Sequence, residues 1–179
     1  MNFALEYLHE TAAVAAALDP DAIEKLVEAL RQVRERRGRV FVLGLGGSAA
    51  NASHCVNDLR VRGNIEAYTP ELAEWTARAN DEGWEVALAR YLRGLTTLDA
   101  VVILSGSGAS APLRRAATMA RAHGAWVFGV LGAAGSPIGT LCDVAVVIPE
   151  VNKQHRAGHA EAFQAVVWHA CVAHPRLAQ

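Results

Sequence analysis

Short apolar runs alternate with longer amphipathic stretches along most of the chain. The runs at 40–43 (VFVL), 100–104 (AVVIL), 126–131 (WVFGVL) and 144–148 (VAVVI) have the length and β-branched content of buried parallel strands. A weaker run around 65–68 predicts an edge strand. The pattern therefore predicts five strands, of which the one at 100–104 is the clearest.

Helices are predicted in the segments before and between these strands. Asp19-Pro20-Asp21 is typical of a helix N-cap with a first-turn proline, and it separates an alanine-rich helix over 2–18 from one ending near Arg37. Further helices are predicted at about 49–60, 74–79, 84–95, 112–123, 137–141 and 160–173. Strands that alternate with helices predict an α/β fold: a doubly wound, mainly parallel five-stranded sheet flanked by helices, with two N-terminal helices.

Composition and charge limit the possible classes of function. The length of 179 residues predicts a single domain over 1–179, and the apolar faces of the helices in 1–37 are expected to form oligomer contacts. A hydrophobic content of 52% is globular, and a net charge of −1 gives no attraction to nucleic acid or a membrane. No targeting segment or membrane-spanning run is recognised, and Cys55, Cys142 and Cys171 lack metal-knuckle or disulfide spacing. We expect a cytoplasmic protein with buried, reduced thiols.

Two glycine- and serine-rich turns each follow a predicted strand. They are GLGGS at 44–48 and SGSGAS at 105–110, and each leads into a predicted helix. Free N–H groups and the helix dipole make such a turn an anion site, although neither turn has the P-loop lysine motif or G-x-G-x-x-G. In doubly wound sheets, ligands bind beyond the carboxyl ends of the strands. The turns are therefore candidate phosphate cradles, with a tight turn and a capping serine as the alternative.

Four titratable side chains have spacings that suit acid–base or metal chemistry. His54 and Asp58 lie four residues apart on one predicted helix, so both face the same way. Glu161 and His169 lie eight apart on the last helix, which separates them by roughly 80° and about 12 Å along the axis. Histidine and carboxylate are common zinc ligands and proton carriers. The alternative interpretation is a helix-stabilising pair and a half-buried core histidine.

Three further groups have weaker signals. Asn80 and Asp81 lie at a predicted break between helices, where they either cap a helix or contact substrate hydroxyls. His155, Arg156 and His159 are predicted in a polar loop, where exposed loop residues are the simpler interpretation and steering of a phosphorylated sugar the other. The tryptophans fall on apolar faces and are predicted in the core or at an interface: Trp75, Trp84, Trp126 and Trp168.

Three motifs together resemble a known family. GLGGSAANASH at 44–54, SGSGAS at 105–110 and EAFQAVVWH at 161–169 are similar to the sugar isomerase (SIS) domain, and within it to the phosphoheptose isomerases. Those enzymes convert sedoheptulose 7-phosphate to D-glycero-D-manno-heptose 7-phosphate. The resemblance covers nearly the whole chain. It implies a SIS fold, a ketose–aldose isomerase acting through an enediol(ate), and a homotetramer with active sites at subunit contacts.

The same resemblance implies roles for individual residues. Asp58 falls on the catalytic glutamate of the family, and His169 on its catalytic histidine. The expected ligands of one Zn²⁺ per subunit are His54, Asp58, Glu161 and His169. The expected substrate-binding residues are Gly46, Gly47, Ser48, Asn80, Asp81, Ser105, Gly106, Ser107, Ser110 and Glu161.

The chain departs from the family pattern at three positions. Leu45 replaces an asparagine, Asp58 a glutamate and Glu161 a glutamine, so the enzyme could act on a different sugar phosphate. Other SIS proteins of similar sequence are not isomerases and bind the bacterial replication initiator. A sugar-phosphate-sensing regulator is a further alternative, but such regulators usually carry an added DNA-binding domain. A histidine at 169 and a carboxylate at 58 favour the enzyme.

Overall fold

The computed structural model describes residues 2–178, which form one five-stranded parallel sheet flanked by helices. The strand order is β2-β1-β3-β4-β5, and every neighbouring pair is parallel. This confirms the predicted α/β class. The strands are β1 (Val40–Leu43), β2 (Ala67–Tyr68), β3 (Ala100–Ser105), β4 (Trp126–Leu131) and β5 (Val144–Val147).

Within the described residues 2–178, seven α-helices surround the sheet, with a 3₁₀ turn before β5. As predicted, Asp19 caps the second helix, its carboxylate accepting the backbone N–H of Asp21 at 2.9 Å. The helices are α1 (Phe3–Ala17), α2 (Pro20–Glu35), α3 (Gly47–Val61), α4 (Leu72–Glu82), α5 (Ala87–Tyr91), α6 (Ala111–Ala122) and α7 (Arg156–Ala173). The 3₁₀ turn is Gly139–Leu141.

The core has two halves because side chains alternate across the sheet. Val40 and Val42 of β1 pack on one face with α2, α3 and α7. Phe41 and Leu43 pack on the other face with α5 and α6. All four side chains are buried, which explains why this strand is apolar without a break.

The strand order places both glycine-rich turns at one edge of the sheet. β1 and β3 are direct neighbours, with Leu43 opposite Ile103. The chain leaves β1 toward β2 on one side and continues from β3 toward β4 on the other. This is the switch in strand order at which doubly wound proteins bind ligands.

Some element boundaries differ from the predicted ones. α4 continues to Glu82, so Asn80 and Asp81 lie in its last turn and not at a break; the chain turns away at Gly83, whose φ is +97°. α5 is shorter than the helix predicted over 84–95. α7 begins at Arg156 and not near 160. The sequence hides this early start because Gly158 lowers the local helix propensity.

Two further expectations concern the thiols and the membrane. Cys55 and Cys171 are buried and free, and burial raises the pKa of Cys171 to about 12, which keeps it protonated and unreactive. Cys142 is only partly buried. Within residues 2–178, no helix combines the length and apolarity needed to cross a membrane.

Candidate active site

The first glycine-rich turn brings the backbone close to itself between β1 and α3. A Cβ on Gly44 would overlap the carbonyl of Ser48, so glycine is required there. Gly46 has a φ of +59°, and its carbonyl accepts the N–H of Ala49 at 3.0 Å. The turn therefore leads directly into the N-terminus of a long helix, where an anion is favoured.

The second turn, 105–110, is shaped by its own hydroxyls. Ser105 is buried, and its hydroxyl accepts the N–H of Gly108 at 3.0 Å. The exposed Ser107 accepts the N–H of Ala109 at 3.3 Å. Ser110 precedes α6 and makes no side-chain capping bond. Ser105 thus shapes the turn, while Ser107 is exposed and Ser110 is partly buried.

The second turn of α7 lies between the two glycine-rich turns. The Ala160 methyl group is 3.7 Å from where a Cβ of Gly106 would lie, and a Cβ on Gly47 would overlap the Glu161 carboxylate. Asn51 of α3 fixes this arrangement by donating to the Glu161 carbonyl at 2.8 Å. Both candidate cradles thus contact the same part of α7.

Asp58 is the centre of a cluster between α3 and α7. Its Oδ2 lies 3.3 Å from Nε2 of His54 and 3.2 Å from Nε2 of His169. The indole N–H of Trp168 donates to the same oxygen at 3.2 Å. Oδ1 has a weaker contact, with the Asn57 amide at 3.4 Å. Oδ2 is therefore crowded, and Oδ1 keeps lone pairs for another partner.

Burial differs sharply within this cluster. The Asp58 side chain is 7% exposed, whereas His54 and His169 are 55% and 46% exposed. The two imidazole rings meet edge to face, 5.2 Å between centroids. The carboxylate is sheltered and hydrogen-bonded, and both histidines are open to a ligand. The cluster is therefore suited to moving protons to and from a bound molecule.

The same three residues fit part of the metal site implied by the resemblance. The ligand atoms of His54, Asp58 and His169 all lie within 4.8 Å of one another. Two histidines and a carboxylate suit zinc and leave a fourth position open. Glu161 does not join this group, because its carboxylate lies against Gly47, two turns of α7 away from His169.

Some sequence-predicted residues lie outside the cluster. Asn80 and Asp81 are exposed and bond to each other, the Asn80 amide donating to Asp81 at 2.9 Å. Leu45 is partly buried and lines a cavity of about 400 Å³ beside the first turn, together with Trp75 and Leu88. The pocket at this point is apolar where the family has an asparagine.

Two features of the site region could not be read from the sequence. Trp168 is buried, as predicted, but its bond to Asp58 joins residues 110 apart, and no sequence signal pairs them. The exposed-loop interpretation of 155–159 is wrong. His159 is only 2% exposed and lies in α7, and His155 is half-buried, because Glu10 of α1 bonds to both.

The chain is similar to known proteins in sequence and in fold. Residues 6–132 match the family model of the SIS domain. The phosphoheptose isomerase of Pelobacter propionicus is 33% identical over 140 residues, covering 74% of this chain and 72% of that protein. That of Solidesulfovibrio magneticus is 31% identical over 174 residues, covering 91% and 83%. The structure of the Neisseria gonorrhoeae phosphoheptose isomerase has a TM-score of 0.86 at 22% identity, covering 95% and 96%.

Proposed function

The chain belongs to the SIS domain family, and within it to the phosphoheptose isomerases. From this premise we propose that it is a ketose–aldose isomerase that converts sedoheptulose 7-phosphate to D-glycero-D-manno-heptose 7-phosphate. The observation that carries the proposal is the position of the Asp58 cluster. A sheltered carboxylate and two open imidazoles lie between α3, which begins at the first glycine-rich turn, and α7, which contacts both turns.

Asp58 is the proposed base for the first half of the reaction. It removes a proton from C1 of the ketose; the C–H electron pair forms the C1–C2 double bond, and the carbonyl π pair moves to O2. Three donors already converge on Oδ2, so Oδ1 is the oxygen that takes this proton. The product of the step is a cis-enediolate.

His169 is the proposed carrier of the proton between the two oxygens. Its Nε2, 3.2 Å from Asp58, gives a proton to O2 and then takes the proton of O1 as the aldehyde forms at C1. Asp58 returns its proton to C2. The sum is an internal redox isomerisation that consumes no outside oxidant or reductant.

The phosphate is proposed to bind at the 105–110 turn. The hydroxyls of Ser107 and Ser110 and the N-terminus of α6 supply neutral donors. Ser48 is buried in the first turn of α3 and belongs to the opposite cradle. Glu161 places a negative charge at that cradle, so a phosphate is disfavoured there and directed to the serine-rich turn.

Zinc is the metal that we propose for the cluster, with His54, Asp58 and His169 as its ligands. When bound, it would polarise the carbonyl and hydroxyl oxygens of the substrate. Glu161 would join only if its side chain left Gly47. Asp58 can serve as base to the extent that it is not held as a ligand, so the two roles compete for its lone pairs.

We also propose an oligomeric state and a cellular location. A homotetramer with active sites at subunit contacts would cover His54, His169 and the exposed pair Asn80–Asp81. It would also cover apolar side chains of α1 that are exposed in the single chain: Phe3, Leu5 and Leu8. A cytoplasmic location would supply the phosphorylated substrate.

The test is turnover of sedoheptulose 7-phosphate by purified protein, with metal content measured on the same sample. We expect Asp58→Asn and His169→Ala each to lower kcat by about 10²–10⁴-fold, because each removes one proton carrier. His123→Ala is the control, since this exposed histidine ends α6 and bonds only to its own helix.

The outcomes separate the alternatives. Loss of turnover in both cluster variants, with His123→Ala unaffected, supports the proposed acid–base pair. A folded, metal-loaded wild type that does not turn over this ketose would contradict the heptose substrate. A screen of other sugar phosphates would follow, and failure there would favour a non-catalytic SIS binding protein.

A further inference from the structure

A second cluster of metal-ligating side chains lies at the other end of α7. It consists of Glu10 from α1, His155 just before α7 and His159 in the first turn of α7, and we call it the α1–α7 cluster. Their ligand atoms all lie within 4.8 Å of one another. His159 and His169 are ten residues apart on the same helix, which separates the two clusters by about 15 Å along its axis.

One carboxylate oxygen of Glu10 faces both imidazoles. Oε2 lies 2.7 Å from Nδ1 of His155 and 3.1 Å from Nε2 of His159. The other oxygen, Oε1, accepts the amide of Asn152 at 2.7 Å. Donor hydrogen bonds from Asn152, His155 and His159 lower the pKa of Glu10 to about 2, so it is a carboxylate at neutral pH.

The two polar contacts at Nδ1 of His155 cannot both be hydrogen bonds. The Asn152 amide is oriented by its own oxygen, which accepts the N–H of Gln154 at 3.0 Å. Its nitrogen, a donor, lies 3.2 Å from Nδ1 of His155. That same Nδ1 faces the Glu10 carboxylate, an acceptor. A neutral imidazole nitrogen can donate or accept but not both, so only one of these two contacts is a hydrogen bond at a time.

A cation between the three side chains would take the place of the hydrogen bonds from the two imidazoles to Glu10. Nδ1 of His155 and Nε2 of His159 would then both present lone pairs, and Glu10 its negative charge. Zinc ligands lie about 2.0–2.2 Å from the metal, which spaces neighbouring ligands roughly 3.4 Å apart. The observed spacings of 2.7 and 3.1 Å need only small side-chain shifts to reach that value.

Neighbouring side chains hold Glu10, His155 and His159 in place, as they do around the ligands of a metal site. The Asn152 amide holds the Glu10 carboxylate from behind, as partners of ligating carboxylates do. Tyr7 stacks on His159 at 4.6 Å between centroids, and Phe3 meets His155 edge to face at 5.6 Å. The rings are therefore fixed in orientation. His159 is nearly fully buried, and Glu10 and His155 are about a quarter exposed, which leaves a path for an ion.

We propose that Glu10, His155 and His159 form a divalent-metal site of the zinc type, distinct from the Asp58 cluster, that fastens α1 to α7. Val14 is the one fully buried side chain within α1, so few apolar contacts compete with this attachment. The proposal does not depend on isomerase activity.

The test is the zinc content of chelator-treated, re-metallated and desalted protein. The variant His54→Ala/His169→Ala removes the ligands of the Asp58 cluster, and we expect it to retain one zinc per chain. Adding Glu10→Gln, which keeps the shape of the side chain, is expected to remove that zinc. Glu6→Gln, one turn earlier on α1 and exposed, is the matched control and is expected to retain it.

A second readout guards against a folding artefact. His155→Ala removes a ligand that is about a quarter exposed and is expected to lose the same zinc, with unchanged far-ultraviolet circular dichroism. In the His54→Ala/His169→Ala variant, Co²⁺ in place of zinc is expected to give visible d–d absorption that Glu10→Gln abolishes. Equal zinc content with glutamate or glutamine at position 10 would overturn the proposal and leave a hydrogen-bonded contact only.

Discussion

Among single residues, Trp168 has the most specific contact with the proposed base. Its indole N–H donates to Oδ2 of Asp58 at 3.2 Å, and both side chains are buried. We expect Trp168→Phe to lower kcat about tenfold with little change in KM, because a lost hydrogen bond of about 1.4 kcal/mol leaves the base less well held. Steady-state kinetics on sedoheptulose 7-phosphate measure both constants.

The matched control for this prediction is Trp84→Phe. Trp84 is half-exposed and packs against Trp75, far from the cluster along the chain. A similar loss of kcat in both variants would show that Trp168 contributes only packing. A rise in KM without a fall in kcat would place Trp168 in substrate binding instead.

The residues of the site were predictable from the sequence only in part. His54, Asp58 and His169 could be selected because their types and spacings fit acid–base and metal chemistry, and the structure brings them together. The pairings of Trp168 with Asp58 and of Glu10 with His159 join residues 110 and 149 apart. Such contacts depend on how helices pack, which periodicity within one helix does not encode.

At the scale of elements, the turn between β3 and α6 has a tightly restricted geometry. Gly108 has a φ of +62°, and a Cβ there would overlap Ser136. We expect Gly108→Ala to raise KM about tenfold, because the 105–110 turn must move away from Ser136, and to lower stability by about 1–2 kcal/mol through the left-handed backbone. Kinetics and urea denaturation measure the two effects.

Gly135→Ala separates the effect of the left-handed backbone from the effect of the overlap with Ser136. Gly135 has the same φ of +62°, but nothing lies within 4 Å of its Cβ position. We expect a comparable loss of stability and an unchanged KM. A similar rise in KM in both variants would contradict the phosphate-binding role of the 105–110 turn.

The helices and strands themselves were easier to predict than the residues at which they begin and end. β1 and β4 have the predicted bounds, because short apolar runs between glycine and polar residues allow few alternatives. The starting point of α7 was missed, since its first turn is held by Glu10 of α1, and the end of α4 was missed by three residues. In both cases tertiary contacts or a single glycine override the local pattern.

At the scale of the whole molecule, a stabilising ion pair and the two glycine-rich turns lie at opposite edges of the sheet. Asp99 precedes β3 and accepts the N–H of Arg39 at 2.9 Å and its guanidinium at 2.7 Å. Burial raises the pKa of Asp99, but hydrogen bonds from Arg39 and Thr96 outweigh burial and hold the pKa below its ordinary value. The two glycine-rich turns, 44–48 and 105–110, lie beyond the carboxyl ends of the strands instead.

Asp99→Asn is therefore expected to lower stability and spare catalysis. A depressed pKa stabilises the fold above the unfolded-state pKa of about 3.9, and this contribution disappears as the pH falls through the folded-state value. We expect a loss of about 3 kcal/mol at pH 7 that shrinks below about pH 4. Urea denaturation at several pH values measures it, with kcat at 25 °C unchanged.

Glu74→Gln is the control for this prediction. Glu74 forms a partly exposed pair with Arg78 within α4, and such pairs contribute about 0–1 kcal/mol. A loss for Asp99→Asn that is equal at pH 3 and pH 7 would mean that the lost contacts do not depend on the charge of Asp99.

The measurement that tests the proposed proton transfer most directly is the conversion of sedoheptulose 7-phosphate in D₂O, followed by NMR until equilibrium. Repeated passage through an enediolate exchanges the carbon-bound hydrogen with solvent, so we expect deuterium at C2 of the aldose and at C1 of the ketose. Asp58→Asn is expected to slow both the conversion and the labelling by about 10²–10⁴-fold. Conversion that reaches equilibrium with no solvent deuterium on either carbon would contradict the enediolate and the role of Asp58 as its base.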